Sequence, residues 1–442
     1  MDKYYHPIRF IEGKCDGRMK CMRICPTEAI RVKHGKATLI EELCIDCGAC
    51  VSVCPSNAIA PLTDPFTRSL DFKYKIALPS PVLYSQFRPE VDPKKIAQGL
   101  KHIGFDYVCD VSSACRAISV ALDEFISSYR GRLPLISSFC PAVVRLIQVK
   151  YPDLTELVVP VEVPREIAAR EIKEELPKGL GIEQEDIGVI YITPCPSKIV
   201  SIRQPAEKEK SWIDGAISIS DVFGPLFSAV SELGDQDIDE DIARDFKFGP
   251  GWSVLGEMTR LIGSERSIAV SGLSDVTKIL DDIENSRLRD VEFVEASSCL
   301  GGCIGGSLVV ENMYVARSST MNLVRKYGGE YGINEDEVLA QYRRGYYFLE
   351  RKLAPRPLRA LDHDLAKAIE KMKRKESIYK SLPKTDCGCC GAPSCNAFAE
   401  DIVRGQARIE DCIYMGGALN GKTRQEKQAR EDMERDDGSD PT

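Results

Sequence analysis

The sequence predicts an α/β protein: a two-lobed central domain with mainly parallel sheets, flanked by a small α+β module on one side and a small helical module on the other. Three observations carry this. Short apolar runs alternate with amphipathic stretches from about residue 72 onward. Residues 1–60 contain a repeated Cys-Pro unit. A second cysteine cluster follows the boundary at Pro355–Pro357.

The N-terminal module, placed at 1–65, has two similar halves. Cys25-Pro26-Thr27-Glu28-Ala29-Ile30 is echoed by Cys54-Pro55-Ser56-Asn57-Ala58-Ile59. The central domain, placed at 72–355, has apolar runs that read as strands at Lys75–Leu78, Tyr107–Cys109, Leu133–Ile136, Ile187–Ile192, Ile268–Val270 and Val291–Val294. Val143–Val149 and Val276–Ile283 fit helices between them. The acidic stretch Gly234–Asp245 reads as a solvated loop or helix start. Segment 356–380 reads as a helical linker with Leu365, Ile369 and Met372 on one face. The helical module is placed at 381–418. Beyond it, 419–442 is a charged tail with no means of building a core.

Composition excludes several classes. The chain has 442 residues, 43% hydrophobic and 29% charged, an ordinary globular balance. Its net charge of −8 argues against a nucleic-acid partner, which would need a basic face. No apolar run approaches the ~20 residues that cross a bilayer, so no membrane insertion is expected. The opening residues have no apolar signal region, so the expected location is cytoplasmic.

Eighteen cysteines in a reducing compartment point to metal rather than disulfides. Seven lie between Cys15 and Cys54 and five between Cys387 and Cys412. The four histidines stand apart from the clusters, against mixed Cys/His zinc sites. Cys44-x2-Cys47-x2-Cys50-x3-Cys54-Pro55 is the bacterial ferredoxin run. In it, short spacing brings three thiolates to one cubane while the fourth serves the other cluster. One 4Fe–4S cluster is therefore expected on Cys25, Cys44, Cys47 and Cys50. The other half has Cys15, Cys21 and Cys54, with Arg18 where a cysteine is expected. Three thiolates suit a 3Fe–4S cluster, a 4Fe–4S cluster with a non-cysteine ligand, or an empty site. A bound but altered cluster is the favoured expectation.

At the C-terminal end, Cys387-Gly388-Cys389-Cys390-Gly391-Ala392-Pro393-Ser394-Cys395 precedes a helical segment, Asn396–Gly405, and then Cys412. This pattern resembles the small 4Fe–4S domain of RnfB-type electron carriers and corrinoid iron–sulfur proteins. It implies Cys387, Cys390, Cys395 and Cys412 as ligands and Cys389 as a bystander. A zinc site is the alternative.

Three further cysteine motifs each follow an apolar run and precede a helix-like segment. They are Ser137-Ser138-Phe139-Cys140-Pro141, Thr193-Pro194-Cys195-Pro196-Ser197-Lys198 and Ser297-Ser298-Cys299-Leu300-Gly301-Gly302-Cys303. Ligands collect at the carboxyl ends of parallel strands, so Cys140, Cys195, Cys299 and Cys303 are expected to meet around one cluster between the lobes. Singly, each reads better as a buried thiol.

With these motifs, residues 72–350 resemble the large-subunit domain of FeFe-hydrogenases. The supporting matches are Leu78-Pro79-Ser80-Pro81 and Phe248-Gly249-Pro250-Gly251-Trp252. The module order is similar to that of the family's divergent, sensory branch. The resemblance implies that the four central cysteines hold the 4Fe–4S part of an H-cluster, with Cys303 bridging to a two-iron subsite. It implies cofactor-binding roles for Ser80 and Lys198, and catalytic roles for Lys198 and Cys303. Lys198 would donate to a cyanide of that subsite, although a surface lysine fits the sequence equally. There are departures as well. Phe139 stands where the family has its proton-relay cysteine. The relay glutamate falls near Ala121 or Leu122, out of register with Asp123 and Glu124. Thr193 and Ser297 replace methionines.

The expectation is an iron–sulfur redox protein with slow hydrogen turnover or hydrogen sensing. Electrons would pass through the accessory clusters to ferredoxin or another electron-transfer protein, or to a separate signalling partner. The alternative is an electron-transfer or redox-responsive subunit with ordinary clusters and no two-iron subsite. Intact Cys299 and Cys303 with Lys198 favour the first; Phe139, Thr193 and Ser297 favour the second.

Overall fold

The computed structural model describes residues 4–234, 237–245, 249, 251–327, 333–356 and 359–416. The charged tail beyond Asn420, and Phe248, Pro250 and Pro357 of the sequence motifs, lie outside the described residues. The chain divides into two interleaved units. One comprises Met1–Arg9, Ile45–Ser52 and Ile59–Pro357; the other comprises Phe10–Cys44, Val53–Ala58 and Leu358–Thr442.

Four short strands lie early in the chain: β1 (Ile8–Phe10), β2 (Ile30–Lys33), β3 (Lys36–Leu39) and β4 (Ile59–Pro61). β1 pairs with β4, and β2 with β3 in an antiparallel hairpin. Seven more strands follow in the first unit: β5 (Tyr74–Pro79), β6 (Tyr107–Val108), β7 (Leu135–Ile136), β8 (Ile187–Thr193), β9 (Gly215–Ser218), β10 (Ser267–Ser271) and β11 (Phe293–Ser297). They form two sheets, ordered β6-β5-β8-β9 and β10-β11-β7, parallel throughout. These are the two lobes the alternation predicted.

Every residue of β8 is buried, as expected for a strand covered on both faces. Its side chains alternate between two cores. Ile187, Val189 and Tyr191 join Ile76 and Leu78 under the helices Ser112–Ser128 and Pro164–Leu180. Ile190 and Ile192 join Ala77 under Pro93–His102 and Ile219–Glu232. A third core, with Ile136, Val294 and Ala296, lies on the smaller sheet.

Several boundaries differ from the sequence reading. β7 begins two residues later than expected because Pro134 has no N–H to give a ladder. The strand read at Val291–Val294 runs instead over Phe293–Ser297, in register with β10 from Ser267 to Ser271. β9 escaped notice because Gly215-Ala216-Ile217-Ser218 contains one large apolar residue. Glu240–Asp245 is a short helix.

In the second unit the C-terminal module packs on β2. Val32 N–H donates to Gly391 O at 2.9 Å, and a Cβ on Gly391 would come within 2.5 Å of Val32 O. Arg31 and Asp401 form a buried two-pronged pair, with Nε–Oδ2 at 2.7 Å and Nη2–Oδ1 at 3.1 Å. Helix Leu365–Ser381 carries Leu365, Ile369 and Met372 exposed on one face. Among the described residues no helix is long and apolar enough to cross a membrane.

Candidate metal centre

All three central motifs sit just past the carboxyl end of a parallel strand: Cys140 after β7, Cys195 after β8, Cys299 and Cys303 after β11. Cys140 and Cys195 occupy the N-cap positions of helices Pro141–Lys150 and Pro196–Arg203, each with proline at the first helical position. Unpaired helix N–H groups and the positive end of the dipole therefore surround both thiols. Loop contacts hold the sequence-distant motifs together. Leu308 N–H donates to Pro194 O at 3.0 Å, and Gly306 fits so closely that a Cβ would lie 2.4 Å from the same carbonyl. Gly302, at φ +97°, passes against Ser253 and Leu255 with no room for a side chain.

The four thiols are brought together. Cys140 Sγ lies 3.5 Å from Ser298 Oγ, which lies 3.7 Å from Cys299 Sγ. Burial pushes the Cys299 thiol up, and Cys195, Cys140 and Cys303 push it further. Burial likewise raises Cys195 to about 11, opposed by Lys198 and reinforced by Cys303 and Cys140. Thiols grouped in this way could take up a cation, since binding metal drives off their protons together.

Lys198 is buried, 3% exposed, and its Nζ lies 3.2 Å from Cys303 Sγ. Burial works against its charge, but Cys303, Tyr191 and Cys195 outweigh it and hold the ammonium above the ordinary lysine range. The surface-lysine reading is thus removed. Beside Cys303 is a cavity lined by Ser80, Cys115, Phe139, Arg165, Lys198 and Cys303 among others. Ser80 is buried at the end of β5, its N–H on Ile192 O at 3.0 Å. The Phe139 ring stands edge-on to Trp252, centroids 5.3 Å apart, and lies 5.1 Å below Lys198 Nζ. Ala121 and Leu122 are in the core, while Asp123 and Glu124 face solvent.

Loop Ile45–Ser52, which carries Cys47 and Cys50, belongs to this same unit. Ser197 Oγ donates to Asp46 O at 2.7 Å, and Gly48 is in close contact with Pro196 and Ser307. The Asp46 carboxylate is fully buried beside His6 at 3.0 Å and Arg145 at 3.5 Å. Cys47 and Cys140 pack on one core.

The second unit holds two further sets. Cys15, Cys21 and Cys54 are close: burial raises the Cys21 thiol, with Cys15 and Cys54 adding to it. Arg18 points outward and pairs with Asp16 at 2.7 Å, so it offers that set nothing. The internal repeat persists in detail. Ala29 N–H donates to Cys25 Sγ at 3.2 Å and Ala58 N–H to Cys54 Sγ at 3.3 Å, with Glu28 and Asn57 both left-handed. Cys44 follows the short turn Glu41–Leu43. Cys387, Cys390, Cys395 and Cys412 line one cavity. Asp386 accepts from Cys395 N–H at 2.6 Å, closing that loop, and Cys389 is exposed.

The family described as "Iron only hydrogenase large subunit, C-terminal domain" matches residues 73–259 and 251–307, just over half of the chain. The chain belongs to the iron-only hydrogenase large-subunit family. A 4Fe–4S binding domain matches 37–60 and a family described as "Putative Fe-S cluster" matches 382–414. The NADP-reducing hydrogenase subunit HndD of Solidesulfovibrio fructosivorans is 25% identical over 197 residues, 38% of this chain and 32% of that protein. The corrinoid/iron-sulfur protein large subunit of Moorella thermoacetica is 49% identical over 41 residues, 9% of each chain. A solved FeFe-hydrogenase HydA1 variant from Chlamydomonas reinhardtii is 16% identical, with a TM-score of 0.47, covering 67% of this chain and 97% of that one. The chain spans about a third of the length of its hydrogenase relative HndD.

Within this iron-only hydrogenase family member, sequence reasoning missed Arg165 and Cys115 as cavity residues. Arg165 sits in a run of alternating charges, Glu162-Val163-Pro164-Arg165-Glu166, that looks like a solvated face. Cys115 had no cysteine partner at ligand spacing to draw attention to it.

Proposed function

We propose that the protein is a low-flux hydrogenase or hydrogen sensor that binds an H-cluster. Cys140, Cys195, Cys299 and Cys303 would hold its 4Fe–4S part, and the cavity beside Cys303 would take the two-iron subsite. The observation that carries this reading is Lys198: a buried ammonium 3.2 Å from Cys303 Sγ in the wall of a cavity. A bridging thiolate, a fixed cation and a dry wall suit a small anionic group. When bound, the subsite supplies the iron at which hydrogen is split or formed.

The chain's own residues set the limits. Phe139 fills the relay position with a ring that cannot carry a proton, and Ala121 leaves the next position apolar. A placed acid or base contributes ~10²–10⁴-fold in rate, so turnover is slow. Thr193 binds its own loop, its hydroxyl 3.1 Å from Cys195 O, and so shapes the ligand turn.

Eleven further cysteines complete the account. Cys25, Cys44, Cys47 and Cys50 would hold one 4Fe–4S cluster; Cys387, Cys390, Cys395 and Cys412 would hold another. Cys15, Cys21 and Cys54 would hold a 3Fe–4S cluster or a 4Fe–4S cluster short of one thiolate. The loop of Cys47 and Cys50 is fixed through Asp46 to the helices of Cys140 and Cys195, which supports electron passage there. The partner would be a ferredoxin or other electron-transfer protein, with signalling output in a separate chain. The second reading, a subunit with ordinary clusters only, is favoured by Phe139 in the cavity wall. Hydrogen-dependent reduction of a viologen dye by the anaerobically matured protein tests the choice. A slow rate that vanishes without maturation supports hydrogen chemistry; no rate above the unmatured protein contradicts the enzymatic form of the proposal.

A further inference from the structure

Arg165 is 4% exposed, in helix Pro164–Leu180. Its Nη2 donates to Ser201 Oγ at 2.9 Å, while Nε and Nη1 have no acceptor among the described residues. The neighbouring carboxylates are engaged elsewhere. Glu166 accepts from Ser211 Oγ at 2.7 Å, Trp212 N–H at 3.1 Å and Lys208 Nζ at 3.3 Å. Glu162 accepts from Lys208 and from Val163 N–H. Among the described residues no carboxylate lines the cavity beside Cys303.

A guanidinium cannot shed its proton, so burial leaves it charged with two donor positions to satisfy. Unpaired buried charge is costly. Arg165 lines both the Cys303 cavity and a second cavity lined by Ser138, Glu162 and Ser201. Its field reaches the first cavity, where it opposes the charge of Lys198. Two cations therefore border one space in which the Cys303 thiol is already engaged by Lys198. Such a space repels a bare cation and selects an occupant with anionic, hydrogen-bond-accepting ends on more than one side.

We propose that Arg165 is a second anchoring cation of the cavity, donating to an anionic diatomic ligand of the two-iron subsite while Lys198 holds another. The inference rests on the hydrogenase reading for the identity of the occupant. It assigns Arg165 a positioning and binding role that needs no proton transfer.

The test is infrared spectroscopy of the full chain after anaerobic maturation, as wild type, Arg165→Met and Arg165→Lys. Paramagnetic resonance of the central 4Fe–4S cluster serves as the folding control. Loss of an outer hydrogen-bond donor commonly weakens metal-site binding about 10–100-fold. Arg165→Met is expected to lose subsite occupancy on that scale, or to shift a cyanide stretching band, with the central cluster signal unchanged. Arg165→Lys keeps the charge without the planar fork, and should retain occupancy with a shifted band. Wild-type bands with unaltered positions and areas in both variants overturn the Arg165 proposal alone. Absence of bands in the wild type overturns it together with the hydrogenase reading. If Arg165→Met loses its central cluster, Arg165→Lys decides: an unshifted spectrum overturns the proposal and a shifted one upholds it.

Discussion

Lys198 Nζ lies 3.2 Å from Cys303 Sγ, joining the helix after β8 to the loop after β11. Sequence separates the two residues by more than a hundred positions, and the parallel sheets bring them to one cavity. Substituting Lys198→Met should leave the four thiols able to hold a 4Fe–4S cluster. It should lower occupancy of the two-iron subsite about 10–100-fold. Iron content and infrared band area measure this; equal occupancy would show that Lys198 is a structural cation only.

Phe139 occupies the cavity wall against Trp252. Phe139→Cys should raise hydrogen turnover of the matured protein by up to ~10²-fold, because a thiol can pass a proton where a ring cannot. Phe139→Ala opens the same space without a titratable group and should give no such gain. Adding Ala121→Glu to Phe139→Cys should raise the rate further. Unchanged turnover in all three variants would mean that proton delivery is not limiting.

Stability should fall as pH rises from about 4 to about 7. Burial pushes the Asp110 carboxyl up to about 7, against hydrogen bonds from Ser112 and Val111 that favour its charged form. Glu171, crowded by Glu175 after burial itself, is also raised to about 7. Below ~4, the unfolded carboxylate pKa, both groups are protonated in either state and their contribution is fully present. Between the two values the folded chain holds protons that the unfolded chain has lost, so stability declines and is lost as pH passes 7. Asp110→Asn should flatten this slope and raise the urea midpoint at pH 8 relative to wild type. A steeper slope in the variant would contradict the burial argument.

The sequence was most legible where spacing itself dictates chemistry. The ferredoxin run and the Cys387–Cys412 pattern point to candidate ligands, the first through its short cysteine spacing and the second through its resemblance to a known cluster domain. The central set was legible as strand ends: Cys140, Cys195 and Cys299 each follow a buried apolar run, and parallel topology does the rest. Arg165 and Cys115 were not legible. Their place in the wall depends on a cavity formed by seven separate segments, and local sequence around Arg165 is charged enough to pass for surface. β9 was missed for a related reason, since a short edge strand paired along β8 and buried by its surroundings needs little hydrophobicity of its own.

The Arg31–Asp401 pair ties the C-terminal module to β2 within one unit. Arg31→Leu alone leaves a buried carboxylate without its cation and should cost about 3–5 kcal/mol. The double variant Arg31→Leu, Asp401→Leu removes both charges and should recover much of that loss. Urea titration followed through the absorbance of the C-terminal cluster measures both; equal stability of the single variant and wild type would show that the pair contributes little.

The central claim is that the cavity beside Cys303 takes a two-iron subsite carrying carbonyl and cyanide. Infrared spectroscopy after anaerobic maturation of the wild-type chain reads this directly, because metal-bound carbonyl and cyanide absorb where protein does not. The account predicts such bands, accompanied by intact signals from the accessory clusters. Intact accessory clusters with no carbonyl or cyanide bands, under maturation that loads an active hydrogenase alongside, would contradict it and leave an electron-transfer subunit in its place.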